Sequence, residues 1–330
     1  MSPRALITGI SGQDGSYLAD FLLERGYEVH GLVRRSPAER LERIEHIGEK
    51  LRLHRGDLLD EASLRGALRA AAPDEIYNLA AVTEAPATWS APVLAAEVNG
   101  LGATRLLEAV RDVCPQARFF QGSCAEIFGR AAEAPQTERT PLHPGSPGAA
   151  AKAYAHAMTG AYRETHGLHA SSGILYNHTS PRRGVQFVTR RITWHAAAIK
   201  LGLPVRLRLG DLEAERDWGF AIDYVHAMWL VLQQDEPEDF VIASGTAHSV
   251  REWLEVAFDH AGLSVQEHVE TGTSPPRPGE SEHLVGDASK AKQVLGWAPD
   301  VGFEDLVRLM VEADYALLRH ELSRQGTAHR

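Results

Sequence analysis

The chain has 330 residues, 44% of them apolar and 24% charged, which is enough for one large α/β domain or two modest ones around a sizeable core. A formal net charge of −10 excludes a general nucleic-acid binder, since a phosphate backbone would repel it. Two cysteines, Cys114 and Cys124, make no disulfide framework and suggest a reducing compartment. No apolar run approaches the length of a membrane span. The N-terminus "MSPRALITG" enters a strand with no room for a signal peptide. A soluble cytoplasmic protein is expected.

In chain order, "RALITGISGQDGSYLADFLLERGYEVHGLVRR" reads as strand, glycine turn, helix, strand. Ala5 to Ile7 form a short buried strand. Tyr17, Leu18, Phe21 and Leu22 recur at helical spacing, and Gly26 ends that helix. Tyr27 to Val33 is the second strand, and Leu51 to His54 the third, with "GDLLD" at its end. A helix from Ser63 to Ala71, the strand "EIYNLAA", a long helix from Val98 to Val113 and the strand "ARFFQGS" follow. Strands and helices alternate to about residue 180, the pattern of a doubly wound parallel sheet. Beyond it the pattern is broken, with a Pro/Gly-rich loop from Ser274 to His283 before the last long helix.

Gly9, Gly12 and Gly15 stand directly after the first strand and open a helix. Glycines there let the backbone turn sharply and approach a pyrophosphate, which the helix N-terminus then stabilises. A purely structural turn is the alternative. An acidic residue at the end of the second strand would bind a ribose 2′-hydroxyl; this chain has Arg34 and Arg35 instead. Unless they are simply a solvated basic pair, two cations there suit a 2′-phosphate, so NADP is expected over NAD.

The stretch from Ala5 to Ser36 resembles the GDP-mannose 4,6-dehydratases, of the extended short-chain dehydrogenase/reductase superfamily. The likeness continues in order through "GDLLD", "NLAA", "AEIFG", "GILYNHTSPRRG", "FVTRRI", "LGDLEAERDWGFAIDYVHAMWLVLQ", "RPGE" and "GDASKAKQVLGW". The resemblance implies an NADP-binding Rossmann domain, mainly residues 1–180 with a returning segment near 210–245. A smaller, discontinuous α/β domain, mainly 181–330, would bind the GDP-sugar. It places cofactor contacts on Gly9, Gly12, Gln13, Asp14, Gly15, Arg34, Arg35, Asp57, Leu58, Ala80, Ala81, Lys152, His178 and Arg183. Substrate contacts fall on Thr83, Glu84, Asn177, Arg191, Arg216, Arg277 and Glu280. Arg216 and Arg277 are also the residue type that grips a diphosphate bidentately. Pairing into a homodimer or homotetramer is implied through helices near 99–113 and 149–166, whose small residues include Gly100, Gly102, Ala150 and Ala157.

The family's reaction uses a tyrosinate to take the sugar 4-hydroxyl proton, a lysine four residues on, and a Thr-x-Glu pair for the elimination across C5–C6. Here Glu126 and Lys152 are kept, Cys124 stands for the threonine, and Gly148 stands where the tyrosine is expected. Tyr154, two residues past Lys152, projects roughly 200° away around a helix. Gly148 is expected to leave a space of about phenol size beside the sugar. Cys124 as a thiolate, or a divalent metal among Glu84, Glu126 and His178, are candidate replacements for the base. From an intact GDP site with an altered acid/base set, the main expectation is a GDP-hexose isomerase performing a non-redox mutase or epimerase step. The alternatives are a GDP-mannose 4,6-dehydratase with a substituted base and a non-catalytic GDP-sugar-binding paralogue.

Overall fold

The computed structural model describes residues 2–34, 41–272 and 284–328. The strands are β1 (Arg4–Thr8), β2 (Glu28–Val33), β3 (Leu51–Arg55), β4 (Glu75–Asn78), β5 (Arg118–Cys124), β6 (Ala170–Leu175), β7 (Asn177–Thr179), β8 (Leu207–Leu209), β9 (Glu215–Phe220), β10 (Phe240–Ile242), β11 (Ala247–Ser249) and β12 (Val269–Thr271). The helices are α1 (Gln13–Glu24), α2 (Glu61–Ala71), α3 (Ala85–Ser90), α4 (Pro92–Ala95), α5 (Gly102–Val113), α6 (Pro147–His166), α7 (Val188–Lys200), α8 (Ala221–Gln233), α9 (Val250–Ala261), α10 (Val265–His268) and α11 (Phe303–Ala328).

Seven strands form one parallel sheet in the order β10-β6-β5-β4-β1-β2-β3. Strands buried on both faces read as continuous apolar runs, as "ALI" of β1 and "FF" of β5 do. One face packs Leu18 and Leu22 of α1 with Val225 and Met228 of α8. The other packs Leu64 and Leu68 of α2, Leu106 and Val110 of α5 and Tyr162 of α6. The expected doubly wound α/β architecture is therefore present. A second body of structure carries a three-stranded sheet, β11-β9-β7, and the β12-β8 pair. Its core joins Ile192 of α7, Trp218 of β9, Trp253 of α9 and Met310 of α11.

Strand order reverses between β1 and β4. The crevice outside the carboxyl ends of strands at such a switch point is where ligands bind in this architecture. Local chemistry shapes it. The strand expected to run through "EIYNLAA" stops at Asn78, because the Leu79 and Ala80 amides both donate to Thr8 Oγ1 at 3.1 Å. The helix expected from Val98 starts as a π-helical turn, Ala96–Leu101, and becomes α5 at Gly102. In that turn, Asn99 accepts from Val82 N at 2.7 Å and donates to Val82 O at 2.9 Å. It thereby fixes the loop leaving β4. Among the described residues, no helix is long and apolar enough to cross a membrane.

Candidate active site

The glycine turn sits at the switch point. Gly9 has φ +71°, and a Cβ there would lie 2.8 Å from Ala80 N. A Cβ on Gly15 would lie 2.3 Å from Gly9 O, so both positions demand glycine. Gly12 caps α1 without a side chain, which leaves first-turn amides for an anion. Gln13 and Asp14 turn towards residues 178–183. Ser180 Oγ donates to Gln13 Oε1 at 3.0 Å, and Gln13 Nε2 donates to Asp14 Oδ1 at 2.8 Å. His178 Nε2 lies 3.0 Å from Asp14 Oδ2, and its Nδ1 lies 2.7 Å from Tyr176 O. Burial works to raise the Asp14 pKa, but the charge and hydrogen bond of His178, with Gln13 and Arg183, bring it down to about 2. His178 stacks on Tyr224, ring centroids 4.5 Å apart.

A buried polar chain crosses the carboxyl ends of the central strands. Thr8 Oγ1 donates to Asn78 Oδ1 at 2.7 Å, Asn78 Nδ2 to Gln121 Oε1 at 2.9 Å, and Gln121 Nε2 to Gly122 O at 3.2 Å. Lys152 Nζ donates to that same Gly122 O at 2.6 Å. The lysine is thus delivered from α6 to the end of β5, beside Cys124 and Glu126. Burial lowers the Lys152 pKa; Cys124, Asp14 and Glu126 pull the other way. Burial, with the Glu126 charge, pushes the Cys124 thiol up to about 12, against the opposing effects of Lys152 and the Glu126 and Ile127 amides. Cys124 is therefore a thiol near neutral pH, a donor rather than a base. Glu126 is exposed in the first turn of the short helix Ala125–Ile127.

Gly148 is the second residue of α6, after the Ser146 cap and Pro147. Thr88 of α3 borders the space expected beside it. A Cβ on Gly148 would lie 3.0 Å from Thr88 Cγ2 and 3.4 Å from Thr88 Oγ1, and Thr88, on α3, is 3% exposed. Tyr154 does project elsewhere: its hydroxyl accepts from Thr104 Oγ1 of α5 at 3.2 Å.

The remaining expected contacts divide. Arg34 directly follows β2, and its carbonyl accepts from Arg55 Nη1 at 2.8 Å. Asp57 and Leu58 follow β3, where Leu59 N donates to Asp57 Oδ1 at 3.0 Å and Leu58 is buried. Ala80 and Ala81 line the loop held by Thr8 and Asn99; Thr83 and Glu84 are exposed beyond it. Glu84 Oε1 accepts from Gln186 Nε2 at 2.8 Å, which closes the β4 loop against the turn after β7. Arg183 stacks over Phe187 at 3.8 Å. Asn177 pairs with Trp218 across β7 and β9, and Arg216 pairs with His248 across β9 and β11, so both stand on one small sheet. Arg191 lies on α7, its carbonyl accepting from His195 Nδ1 at 2.7 Å. Arg35, Arg277 and Glu280 lie outside the described residues.

The divalent-metal expectation is corrected. Among the described residues, no three His, Cys, Asp or Glu side chains are grouped to hold a metal. Two of the candidate ligands are committed elsewhere, His178 to Asp14 and Glu84 to Gln186. Sequence reading missed Thr8, Asn99, Gln121 and Thr88, whose roles arise from long-range contacts with no local pattern.

A parallel seven-stranded sheet with a glycine turn at its switch point, and a lysine brought from the neighbouring helix to the end of β5, defines the extended short-chain dehydrogenase/reductase fold. A UDP-glucose 4-epimerase from Thermus thermophilus, solved in complex with NAD, superposes with a TM-score of 0.83 at 30% identity, covering 94% of this chain and 98% of that one. A dTDP-glucose 4,6-dehydratase from Streptomyces venezuelae, solved with NAD and TYD bound, gives 0.85 at 26% identity, covering 96% and 98%. Within that class the chain belongs to the GDP-mannose 4,6-dehydratase family, whose model matches residues 6–310. GDP-mannose 4,6 dehydratase 1 of Arabidopsis thaliana is 50% identical over 335 residues, 97% of this chain and 92% of that protein. The human GDP-mannose 4,6 dehydratase is 47% identical over 342 residues, 96% and 92%. These relatives overturn the isomerase expectation, both as a mutase and as an epimerase.

Proposed function

We propose that the chain is a GDP-mannose 4,6-dehydratase in which the tyrosine's work is done by other groups. It would convert GDP-mannose to the 4-keto-6-deoxy sugar with loss of one water. The observation that carries this reading is the retained constellation at the end of β5. Lys152 is held on Gly122 O beside Cys124 and Glu126, in a chain half identical to named dehydratases.

The dinucleotide site fits a nicotinamide cofactor. The glycine positions would be filled by any Cβ, and Arg34 favours NADP. A nicotinamide held there would supply hydride acceptance and return, so that no net oxidant would be consumed. The chain supplies the rest. Gly148 and Lys152 are four residues apart on α6 and share a face. Lys152, with its pKa lowered by burial, is therefore the group assigned to take the 4-hydroxyl proton. Glu126 takes the C5 proton and delivers it to the departing C6 hydroxyl, so that water leaves, and the proton held by Lys152 is then returned to C5. The Cys124 thiol, its pKa pushed up to about 12, donates a hydrogen bond to a sugar oxygen. Asn177, Arg191, Arg216, Arg277 and Glu280 are assigned to the GDP moiety; all but Asn177 fall on the part of the chain after residue 180. The two free cysteines accord with a cytoplasmic setting.

The test is to incubate the chain with NADP and GDP-mannose and follow the sugar by NMR and mass spectrometry. A product lighter by one water is expected; a product of unchanged mass overturns the reading. Gly148 itself favours one second reading, a GDP-sugar-binding paralogue without turnover. Tight GDP-mannose binding with no product in the same experiment would establish it.

A further inference from the structure

Arg43 belongs to none of the site sets above. It lies in the 3₁₀ segment Glu42–Lys50, which is anchored by the buried side chains of Ile44 and Ile47. Its guanidinium bridges two loops. Nε donates to Arg182 O at 2.7 Å, and Nη1 donates to Ser11 O at 3.2 Å. Ser11 is inside the glycine turn, between Gly9 and Gly12. Arg182 is in the turn that carries Arg183. That second turn is tied down further, since Arg182 pairs with Asp20 at 2.7 Å, donates to Ser16 Oγ at 3.1 Å and lies over the Tyr17 ring at 4.0 Å. A planar fork spending donors on two carbonyls is a geometry that arginine makes and lysine does not.

The charges indicate what the clasp is for. Burial disfavours the Arg183 cation, and Arg43 disfavours it further, although Asp14 supports it. Two guanidinium groups are thus held within electrostatic reach of each other next to the N-terminus of α1. An anion received at that end relieves their repulsion and meets the first-turn amides.

We propose that Arg43 is a positioning residue for the diphosphate of the dinucleotide. It fastens the glycine turn to the 180–183 turn, so that the α1 amides and Arg183 face the two phosphates together. This rests on the dinucleotide reading of the preceding subsection. It predicts a contribution common to NADP and NAD, because both carry the diphosphate. A contact to the 2′-phosphate would serve NADP alone.

The test is calorimetric titration of the full chain, without substrate, with NADP, NAD and adenosine 2′-monophosphate, which carries the 2′-phosphate and no part of the diphosphate. Arg43→Gln is expected to weaken NADP and NAD by the same factor, on the order of 10-fold or more for a lost charge-assisted contact, with little effect on the monophosphate. Arg43→Lys is expected to weaken both dinucleotides nearly as much, because it keeps the charge and loses the fork. Urea unfolding checks that each variant is folded, and if Gln is not, the Lys variant decides. Unchanged affinities, a loss confined to NADP, or full affinity in Arg43→Lys would each overturn the assignment. Wild-type chain that binds neither dinucleotide would overturn the cofactor reading itself, and the Arg43 assignment with it.

Discussion

At the scale of single residues, the contact between Gly148 and Thr88 governs what a restored side chain would do. A Cβ at 148 lies 3.0 Å from the Thr88 methyl, closer than ordinary packing allows, so Gly148→Tyr crowds Thr88 and requires it to shift. We expect it to cost about 1–3 kcal/mol in urea unfolding, and Thr88→Ala in the same chain to recover most of that. The pair is then strongly non-additive. If the dehydratase reading holds, turnover of GDP-mannose rises in the double variant and not in Gly148→Tyr alone; equal rates in both would count against it. Lys152 gives a second prediction. A base must be unprotonated, and burial depresses the Lys152 pKa below that of an ordinary lysine. Turnover should therefore climb with pH through that depressed value and level off above it. Lys152→Arg cannot lose its proton near neutral pH, so it should bind NADP and fail to turn over. A flat pH profile in the wild type would remove Lys152 as the proton acceptor.

Whole elements were legible where the signal was local. The glycine turn, the helical spacing in α1 and the apolar strands lie within short windows, and β1, α1 and β2 appear where those windows put them. Less legible was anything settled by partners far along the chain. The strand at "EIYNLAA" was shortened by Thr8, some 70 residues earlier, and the start of the long helix was reshaped around Asn99. The Thr88 contact at Gly148 was not legible either, because that neighbour sits on α3, with no local link to α6. Helix α6 itself shows how an element carries chemistry. Ser146 Oγ accepts from Ala149 N at 3.2 Å, Pro147 occupies the first turn, and the helix then presents Gly148 and Lys152 on one face. Ser146→Ala should cost about 1 kcal/mol in chemical denaturation. Because the cap sets where α6 begins, that variant should also lose turnover with GDP-mannose while NADP affinity is retained. A stability loss with unchanged turnover would show that Lys152 is placed by Gly122 O alone.

At the scale of the molecule, two of the small residues expected to sit between copies, Gly100 and Gly102, pack within one, while Ala150 and Ala157 are exposed. A Cβ on Gly100 would lie 3.3 Å from Tyr154 Cδ1, and one on Gly102 would lie 2.9 Å from Leu58 Cβ. They let the segment before α5 pack on α6 and on the loop after β3. What remains uncovered is apolar: Val93 is 75% exposed, and Leu94, Trp89, Leu59 and Leu101 each expose 40% or more. These residues lie on or beside α3, α4 and the turn entering α5. Clustered apolar surface of this kind is costly in water and marks a contact. A second copy of the chain is the expected cover, because an isologous pair buries the same patch on both subunits at once. Light scattering on a size-exclusion column should therefore give an oligomer for the wild type. Val93→Glu with Leu94→Glu should shift it to the monomer mass, since two carboxylates cannot be buried there unpaired. Circular dichroism of the same fractions distinguishes dissociation from unfolding. A wild type that runs as a monomer at every concentration would leave the patch without a second copy to cover it.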